Sequence, residues 1–444
     1  MQEECYDVVV VGMGVFGSAT AHQLSQLKQT PRTLCLEQFN LSPKIHSHGS
    51  SHGNSRIIRF SYEEEIYSLM GIESLQQWRD VEKDSSTKLY VQTGGLDFGS
   101  ESNEMMQKVI QVAKNNKLEH EVLNSKQLKE RFPAFNTHSF QNDYIGLYQP
   151  DAGILDASEC VYVLQQLALR NKNITMRDGQ VVTKIVDVYI NDVKLQRVFI
   201  QHGDQLYSVL ANKVVLCVGS WTGPFLENAY PGVSLNLNII QTSYGFWKVP
   251  EQFSDCYQIG KLPLWIHWGK YFDFMNPEDV VHVQEHSNDQ ELAYFGFPIY
   301  EKKNYIKAGI HYSLQSDDKL KDPTIGRNYT MPERKINIMK QYLTQNYAGM
   351  NYNDKTKDMP FDFDTCLYTT SDTGDFIIDV HPTNSNIVVC GACNGHAFKF
   401  AVMIGRMATE LIRDPVRETF TLLNSKGIPR EKFAIKHCVI TSKL

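Results

Sequence analysis

The hydrophobic pattern near the amino terminus changes its period within a few residues. Residues 8–11 are four consecutive valines, and residues 33–36 form a second short apolar run. Continuous runs of this length are typical of strands buried on both faces of a sheet. Between them, residues 18–29 place alanine and leucine at helical spacing on one face. The order strand, turn, helix, strand predicts the start of an α/β domain.

Helical and strand-like periods continue to alternate up to about residue 232. An apolar face at helical spacing predicts a helix, and a polar residue before it predicts its first turn. The predicted elements are a helix at 65–81, a strand at 89–98, a helix at 106–113, a turn at 128–132, a helix capped by Asp156 or Ser158 and ending near Arg170, and a strand at 213–218.

From about residue 233 to residue 352, strand-like runs alternate with turns, as in 293–298. This pattern predicts an antiparallel sheet. Within it, residues 305–311 alternate with a period of two, so Lys307 and His311 share one face. Such a pair is solvated more often than catalytic, so the residues themselves leave both interpretations open.

The valine run ends in G-x-G-x-x-G, formed by Gly12, Gly14 and Gly17 with Val15 and Phe16 between them. In such a turn the first glycine makes the tight bend, the second admits a pyrophosphate and the third lets helix pack on strand. The helix N-terminus then offers N–H groups to the phosphates.

Glu37 follows the second strand, 25 residues after Gly12. A carboxylate there can accept hydrogen bonds from the hydroxyls of an adenosine ribose, and it disfavours a 2′-phosphate. The stretch therefore predicts a site for FAD or NAD and not for NADP.

Composition adds limits. The chain has 444 residues, 42% of them hydrophobic, and a net charge of −6, enough for two domains and without the basic excess that indicates nucleic acid or an anionic membrane. We found no apolar stretch of about 20 residues that would cross a bilayer. Nine scattered cysteines are not a disulfide framework. The last three residues, Ser442, Lys443 and Leu444, match the peroxisomal address, so we expect a peroxisomal import receptor as a partner and a peroxisomal protein.

A second polar stretch follows the second strand and contains His46, His48 and His52. No Asp, Glu or Cys nearby completes a metal-ligand set, so we predict no metal. Serines and glycines suit a loop laid against a flat polar ring. Arg56 and Arg59, three residues apart, could equally be a solvated pair.

Three motifs, the first of them in this stretch, give the chain a specific resemblance to a known family. Residues 48–59 resemble the H-G-S-x-H-G-x-S-R-I-I-R signature of the monomeric sarcosine oxidase family, which includes peroxisomal sarcosine and pipecolate oxidases. Residues 366–369 match its C-x-Y-T motif, and residues around 395–399 match its G-H-G-F-K element, with Ala397 in place of a glycine. Cys390 and Cys393 form a C-x-x-C that we discount as redox chemistry. The resemblance covers nearly the whole chain.

The resemblance implies FAD as cofactor, joined covalently through Cys366, which on the sequence alone could be an inert buried thiol. It implies Lys307 next to the flavin N5, His311 beside the substrate amine, and Arg56 and Tyr368 as further catalytic groups. Arg59, Lys399, Tyr368 and Phe295 would contact the substrate, and Phe295, where some relatives carry tyrosine, implies a bulkier or less polar substrate. The implied cofactor contacts are Gly12, Gly14, Val15, Phe16, Gly17, Glu37, Ser50, His52, Arg56, Gly219, Cys366, Gly395, His396 and Lys399.

The implied activity is oxidation of a secondary or cyclic amino acid such as sarcosine, L-pipecolate, L-proline or an N-methyl amino acid. The products would be an imine, or aldehyde plus amine, and hydrogen peroxide formed from O2. A fructosyl-amino-acid oxidase is an alternative, and a non-catalytic flavin-binding protein is a weaker one. We expect a monomer.

The predicted fold class is α/β (α+β), with a Rossmann-type FAD-binding domain and a substrate domain built on an antiparallel sheet. The FAD-binding domain is discontinuous. Its predicted segments are 1–92, 148–232 and 367–444, and those of the substrate domain are 93–147 and 233–366.

Overall fold

The fold is built on two large sheets joined by helices and a small third sheet. The computed structural model describes residues 3–41, 45–136, 143–270, 291–311, 319–352, 361–422 and 427–440. The strands are β1 (Cys5–Val11), β2 (Thr33–Leu36), β3 (Arg56–Ile58), β4 (Tyr90–Gln92), β5 (Gly95–Ser100), β6 (Glu121–Asn124), β7 (Tyr144–Gln149), β8 (Gly153–Leu155), β9 (Ile174–Arg177), β10 (Val181–Ile190), β11 (Val193–His202), β12 (Gln205–Leu216), β13 (Leu237–Lys248), β14 (Leu264–Lys270), β15 (Glu291–Lys302), β16 (Tyr305–Ile310), β17 (Lys319–Leu320), β18 (Phe361–Ser371), β19 (Ile377–His381), β20 (Asn384–Gly391), β21 (Thr419–Phe420) and β22 (Ile428–Pro429). The helices are α1 (Val15–Ser25), α2 (Glu65–Ser85), α3 (Glu104–Asn115), α4 (Ser125–Arg131), α5 (Ala157–Leu169), α6 (Thr222–Asn228), α7 (Glu333–Asn346) and α8 (Ala401–Arg413).

The valine strand β1 lies in the middle of the first sheet. The sheet runs in the order β10-β11-β12-β1-β2-β9, and β20 pairs with both β12 and β19. β1 is parallel to both of its neighbours, with Val9 opposite Leu34 on one side and Val214 on the other. Val9 and Val10 are fully buried, as a run without polar positions predicts.

The second sheet confirms the predicted antiparallel architecture. Its order is β17-β13-β16-β15-β14-β5-β7-β6, with β18 also paired to β13, and β14–β5 is a parallel contact within it. Residues 271–290 and 312–318 of the predicted run lie outside the described residues. The predicted α/β (α+β) fold class is therefore confirmed, while the domain limits stay a prediction.

A small sheet, β3-β8-β4, connects the stretch that carries the two arginines to the chain returning from the second sheet. Arg56 lies opposite Leu155 in this sheet. Because Asp156 follows directly and its side chain accepts a hydrogen bond from the N–H of Glu159, helix α5 begins here. The predicted cap at Asp156 is confirmed.

Helix α1 packs between two partners that come from distant parts of the chain, α5 and the last helix, α8. A Cβ atom added to Gly405 in α8 would lie 2.5 Å from the carbonyl carbon of Ala19, so the two helices touch backbone to backbone. The second sheet has its own core, in which Trp265, Tyr342 and Tyr347 are buried.

Four predicted features differ from the structure. Residues 333–346, part of the run predicted as strands and turns, form helix α7. Helix α1 begins at Val15 rather than at residue 18, because the extended Gly14 is its N-cap. The predicted turn at 128–132 lies mostly within helix α4, which a capping box at Asn124 initiates.

The predicted strand at 89–98 is divided between two sheets, as β4 and β5. The break falls at Gly94, whose φ of +70° is the left-handed conformation that favours glycine. Across the ranges that the structure describes, no helix is both long and apolar enough to cross a membrane.

Candidate active site

One cavity of about 450 Å3 extends from the glycine-rich turn after β1 to the face of the second sheet. Its wall contains every residue that the sequence singled out as catalytic or substrate-binding, as well as Cys366. Of the predicted cofactor contacts, Gly17 and His52 do not line it. Residues far apart in the chain thus meet around a single space.

The glycines of the turn are required by close contacts. Gly12 has a φ of +91°, and a Cβ atom there would lie 2.5 Å from the carbonyl oxygen of Cys217. A Cβ atom on Gly17 would lie 1.8 Å from the carbonyl oxygen of Gly12, so Gly17 acts by letting helix α1 approach the turn. Val15 donates its N–H to Ser51 Oγ at 3.0 Å. The turn is a backbone cradle beside a helix N-terminus, the arrangement that favours phosphate groups.

Glu37 closes this end of the cavity. Its Oε2 accepts the N–H of Met13 at 2.7 Å, and its Oε1 accepts the N–H of Phe39 at 3.1 Å. His46 Nε2 lies 3.4 Å from Oε1. The carboxylate therefore ties β2 to the glycine-rich turn and still faces the cavity, as a ribose-binding group must.

Arg56 organises the polar loop. It is half-buried, and its guanidinium donates to the carbonyl oxygens of Ser50 at 3.0 Å, His52 at 2.7 Å and Ser55 at 2.8 Å. His52 lies behind this loop, with Nε2 3.4 Å from Asp364 Oδ2. No group of three or more His, Cys, Asp or Glu residues that could hold a metal ion occurs among the described residues.

Lys307 is buried beneath the loop, on β16. Its Nζ donates to Ser55 Oγ at 2.9 Å and to Glu301 Oε1 at 3.1 Å, and it lies 3.9 Å from the centre of the Tyr244 ring. Burial lowers the pKa of Lys307 to about 8, and the nearby Arg56 adds to that effect while Glu301 opposes it. A cation is thus held at the cavity wall by a carboxylate of the protein.

Arg59 lies on another part of the wall and has a buried carboxylate beside it. Its Nη1 is 3.0 Å from Ser61 Oγ and 3.7 Å from Asp97 Oδ1, and the guanidinium lies 4.5 Å above the Tyr62 ring. Trp268 Nε1 donates to the same Asp97 oxygen at 3.0 Å. These contacts fix the direction in which the guanidinium faces the cavity.

Lys399 is close to Arg59 but has different partners. Its Nζ donates to Tyr62 Oη and to the carbonyl oxygen of His396, both at 2.8 Å. In the described part of the chain no carboxylate lies within 4.0 Å of it. Burial, and then the charge of Arg59, hold the pKa of Lys399 well below its usual value.

His311 and Tyr368 form the polar part of the wall between these cations. His311 Nδ1 lies 3.3 Å from Tyr368 Oη. Burial, then Arg59 and Lys399, lower the pKa of His311 to about 3, so its ring is neutral at physiological pH. His396 is kept neutral for the same reasons, its pKa held well below the usual value by burial and by Lys399. Gly395, with a φ of +73°, packs against Tyr368, whose ring would be 2.5 Å from an added Cβ.

Cys366 faces the cavity from β18 and is 6% exposed. All nine cysteines of the chain are free thiols, including Cys390 and Cys393 of the C-x-x-C. Gly219 follows β12 and also lines the cavity, with a φ of +56°. Phe295 contributes an apolar wall next to Gly309.

These residues fit FAD. The cradle around Gly12 accepts no side chain, Glu37 faces the ribose end, and the cavity continues without a break to Lys307 and Cys366. Such a continuous space is what an extended dinucleotide requires.

Comparison with known proteins gives the same class. The family of FAD-dependent oxidoreductases matches residues 7–411, and the chain belongs to this family. Among relatives, the peroxisomal sarcosine oxidase of Homo sapiens is 28% identical over 92% of this chain and 93% of its own. The monomeric sarcosine oxidase of Bacillus sp. (strain NS-129) is 27% identical over 91% and 92%. The resemblance to sarcosine oxidases is confirmed.

Solved structures share the fold. The open form of NikD, an amino acid oxidase essential for nikkomycin biosynthesis, has a TM-score of 0.73 at 22% identity, covering 97% of both chains. The L-proline dehydrogenase of P. horikoshii has a TM-score of 0.71 at 15% identity, covering 98% of both.

Sequence reasoning missed three groups of this site. Ser51 supports the first turn of α1, Glu301 pairs with Lys307, and Asp97 pairs with Arg59. Only Ser51 carried a local signal, because it belongs to the polar loop. The two carboxylates stand in unrelated segments, where nothing distinguishes them from surface acids.

Proposed function

We propose that the protein is an oxidase of secondary or cyclic amino acids that uses FAD and O2. The observation that carries this proposal is the single cavity, which joins a dinucleotide cradle to three buried basic side chains, Arg59, Lys307 and Lys399, and to a neutral histidine. When bound, FAD would accept a hydride equivalent from the carbon next to the amine nitrogen and pass two electrons to O2, leaving an imine and hydrogen peroxide.

Arg59 and Lys399 are the carboxylate anchors in this proposal. Both reach the cavity, and Arg59 can offer two parallel N–H groups to one carboxylate. Asp97 compensates one of the two positive charges. The remaining charge, once Lys399 is protonated, matches a single carboxylate, which favours a monocarboxylic amino acid.

The amine would lie near His311. A carbon–hydrogen bond next to nitrogen gives up hydride only when the nitrogen is unprotonated, and a neutral imidazole can accept a hydrogen bond from the N–H of such a neutral amine. His311, neutral because of its burial, and Tyr368 suit this role. The apolar wall at Phe295 favours a substrate with a hydrocarbon part, such as a ring.

Lys307 would act in the reaction with O2. Oxygen accepts its first electron as an anion, so a fixed positive charge in a buried site stabilises that step. Transfer of hydride from a neutral amine creates no such anion, so it needs this charge less.

The activity test is a peroxide assay on purified protein with sarcosine, L-pipecolate, L-proline, an N-methyl amino acid and a fructosyl amino acid, each beside an amine that lacks the carboxylate. We expect peroxide from at least one secondary or cyclic amino acid and much less from its matched amine. A preference for the fructosyl compound would indicate the alternative oxidase. Absence of peroxide with every compound would contradict the proposal.

We further propose that Cys366 carries the flavin covalently, because its thiol is buried in the cavity wall. Acid precipitation of the wild-type protein should leave yellow colour with the chain, and Cys366→Ser should release its flavin. The matched control is Cys393→Ser, a thiol in the same wall that should leave the covalent link intact. Release of all flavin from the wild-type protein would show that the link does not exist.

Peroxisomal location is the last part of the proposal, and it rests on the terminal Ser442, Lys443 and Leu444, which lie outside the described residues. A fluorescent protein fused to the amino terminus should enter peroxisomes, and deletion of these three residues should leave it diffuse. Unchanged import after the deletion would contradict this address.

A further inference from the structure

Glu301 is a buried carboxylate at the end of β15, in the hairpin that carries Lys307. Its side chain is 8% exposed and that of Lys307 is 4% exposed. Glu301 Oε1 lies 3.1 Å from Lys307 Nζ and also accepts a hydrogen bond from Ser55 Oγ. Ser55 Oγ accepts in turn from Lys307 Nζ at 2.9 Å, so the three groups form a closed ring of contacts.

Several charged or titratable groups face Lys307 from the elements packed around it. Arg56 on β3 is a second, half-buried cation, and Tyr244 on β13 places its ring under the ammonium group. Asp364 on β18 is half-buried and engaged with His52 at 3.4 Å and with Tyr244 Oη at 3.1 Å. Among the described residues, Glu301 is the carboxylate within ion-pair distance of Lys307.

In the described part of the chain, the buried Lys307 and the neighbouring Arg56 therefore share Glu301 as their close carboxylate. A guanidinium does not lose its proton in proteins, whereas an ammonium group does so readily when it is buried. If the carboxylate were neutral, the energetic cost of two adjacent cations would fall on Lys307. The lysine would then lose its proton, and the cavity wall would lose the charge that faces the reacting oxygen.

We infer that Glu301 is a positioning residue that keeps Lys307 protonated and directed at the site of oxygen reduction. This inference rests on the proposed function, because it assigns Glu301 to the step in which Lys307 acts. It adds a carboxylate without contact to substrate to the set of residues that control the enzyme.

The test uses the full-length holoenzyme, reduced with dithionite so that the substrate need not be known, and mixed with O2 at a series of pH values. The reoxidation rate should fall as rising pH removes the proton from Lys307. In Glu301→Gln we expect the midpoint of this fall to lie about 1 to 3 pH units lower, the range that loss of a close opposite charge produces. Glu301→Asp should restore most of the wild-type profile. Asp362→Asn is the matched control, since Asp362 pairs with the half-exposed Lys302, which follows Glu301 along the chain.

A second measurement does not depend on activity. Because the pKa of Lys307 lies below that of an unfolded lysine, Tm should rise with pH wherever the unfolded chain binds the extra proton. In Glu301→Gln this rise should begin at lower pH than in the wild-type protein. Adding Lys307→Met to Glu301→Gln should remove the difference, since the titrating group is gone. If Glu301→Gln folds poorly, Ser55→Ala can replace it. The rise of Tm with pH should then also begin at lower pH than in the wild-type protein, with a smaller shift.

The outcomes separate the two proposals. An unchanged reoxidation midpoint and an unchanged Tm profile in Glu301→Gln would overturn the role of Glu301. A shifted Tm profile together with fast reoxidation in Lys307→Met would support the action of Glu301 on Lys307 and contradict the role of Lys307 in the proposed function. If Glu301→Gln lowers the reoxidation rate by the same factor in Lys307→Met as in the wild-type protein, Glu301 acts through another group.

Discussion

Two regions of the cavity wall each contain a buried lysine, and they are built in opposite ways. Lys307 has a carboxylate of the protein at 3.1 Å. Lys399 donates to two neutral oxygens, Tyr62 Oη and the carbonyl of His396. Burial lowers the pKa of Lys307 to about 8, but it holds that of Lys399 well below its usual value, with Arg59 adding to the effect.

The difference shows where the protein supplies a counterion and where it leaves that place to a ligand. At Lys307 the charge is already balanced by Glu301, so it persists whether or not substrate is present. At Lys399 no carboxylate of the described residues lies within ion-pair distance, and an amino-acid substrate would bring one. Lys307 is therefore suited to provide a permanent positive charge, and Lys399 is suited to recognise the carboxylate of a ligand.

The largest expected effect would come from removing the permanent charge. Lys307→Met should slow the reaction of reduced flavin with O2 by roughly two to four orders of magnitude, the range for loss of a preorganised charge. Reduction by substrate should change far less. Stopped-flow measurement of the two half-reactions checks this.

Lys302→Met is the matched control for that experiment. Lys302 lies in the same hairpin but is half-exposed and pairs with Asp362. It should leave reoxidation unchanged. If Lys307→Met impairs reduction by substrate and spares reoxidation by O2, Lys307 does not differ from Lys399 as we describe.

The next effect concerns recognition. Lys399→Gln or Arg59→Gln should weaken carboxylate substrates by about 1.5 to 3 kcal/mol, or about 10- to 150-fold, because each removes a charged hydrogen bond. A matched amine without the carboxylate should lose much less. Steady-state kinetics on both classes checks this, and an equal loss for both would contradict the anchoring role.

The smallest expected effect is a pH dependence of binding. Burial, and then Arg59, hold the pKa of Lys399 well below its usual value in the ligand-free protein, and a bound carboxylate raises that pKa, so binding takes up a proton at pH values between the two. Affinity should therefore fall as pH rises, by at most about tenfold per pH unit. Calorimetry of acetate binding in buffers of different ionisation enthalpy measures the proton. In Lys399→Gln this uptake should disappear, and an equal uptake in that variant would assign the proton to another group.

The close contacts of the glycine-rich turn could be predicted from the sequence, and the reason is local. Gly12 and Gly17 are dictated by contacts with their own turn and with the adjoining strand, so their spacing contains the geometry. The fold class followed from the same local periods. Only the ends of elements, such as the start of α1 at Val15, depended on caps that the periodicity did not show.

The charged end was predicted only in part. Family motifs indicated Lys307 and Lys399, but the partners that distinguish them come from elsewhere. Glu301 meets Ser55 across 246 positions of chain. Asp97 reaches Ser61 and Trp268 only because β5 and β14 are neighbours in the second sheet. Pairings of this kind depend on how the strands and loops are arranged in the fold, and the spacing of residues along the chain does not reveal that arrangement.

The contact between Gly405 and Ala19 has a consequence for the order of events at the ribosome. The first helix emerges early, yet the surface that it needs on α8 is among the last parts of the chain to be made. Strand β12 likewise waits for β20. Such distant pairings form late and slowly. The packing of α1 on α8 and of β12 on β20 therefore cannot be completed until the carboxyl-terminal part of the chain has been made.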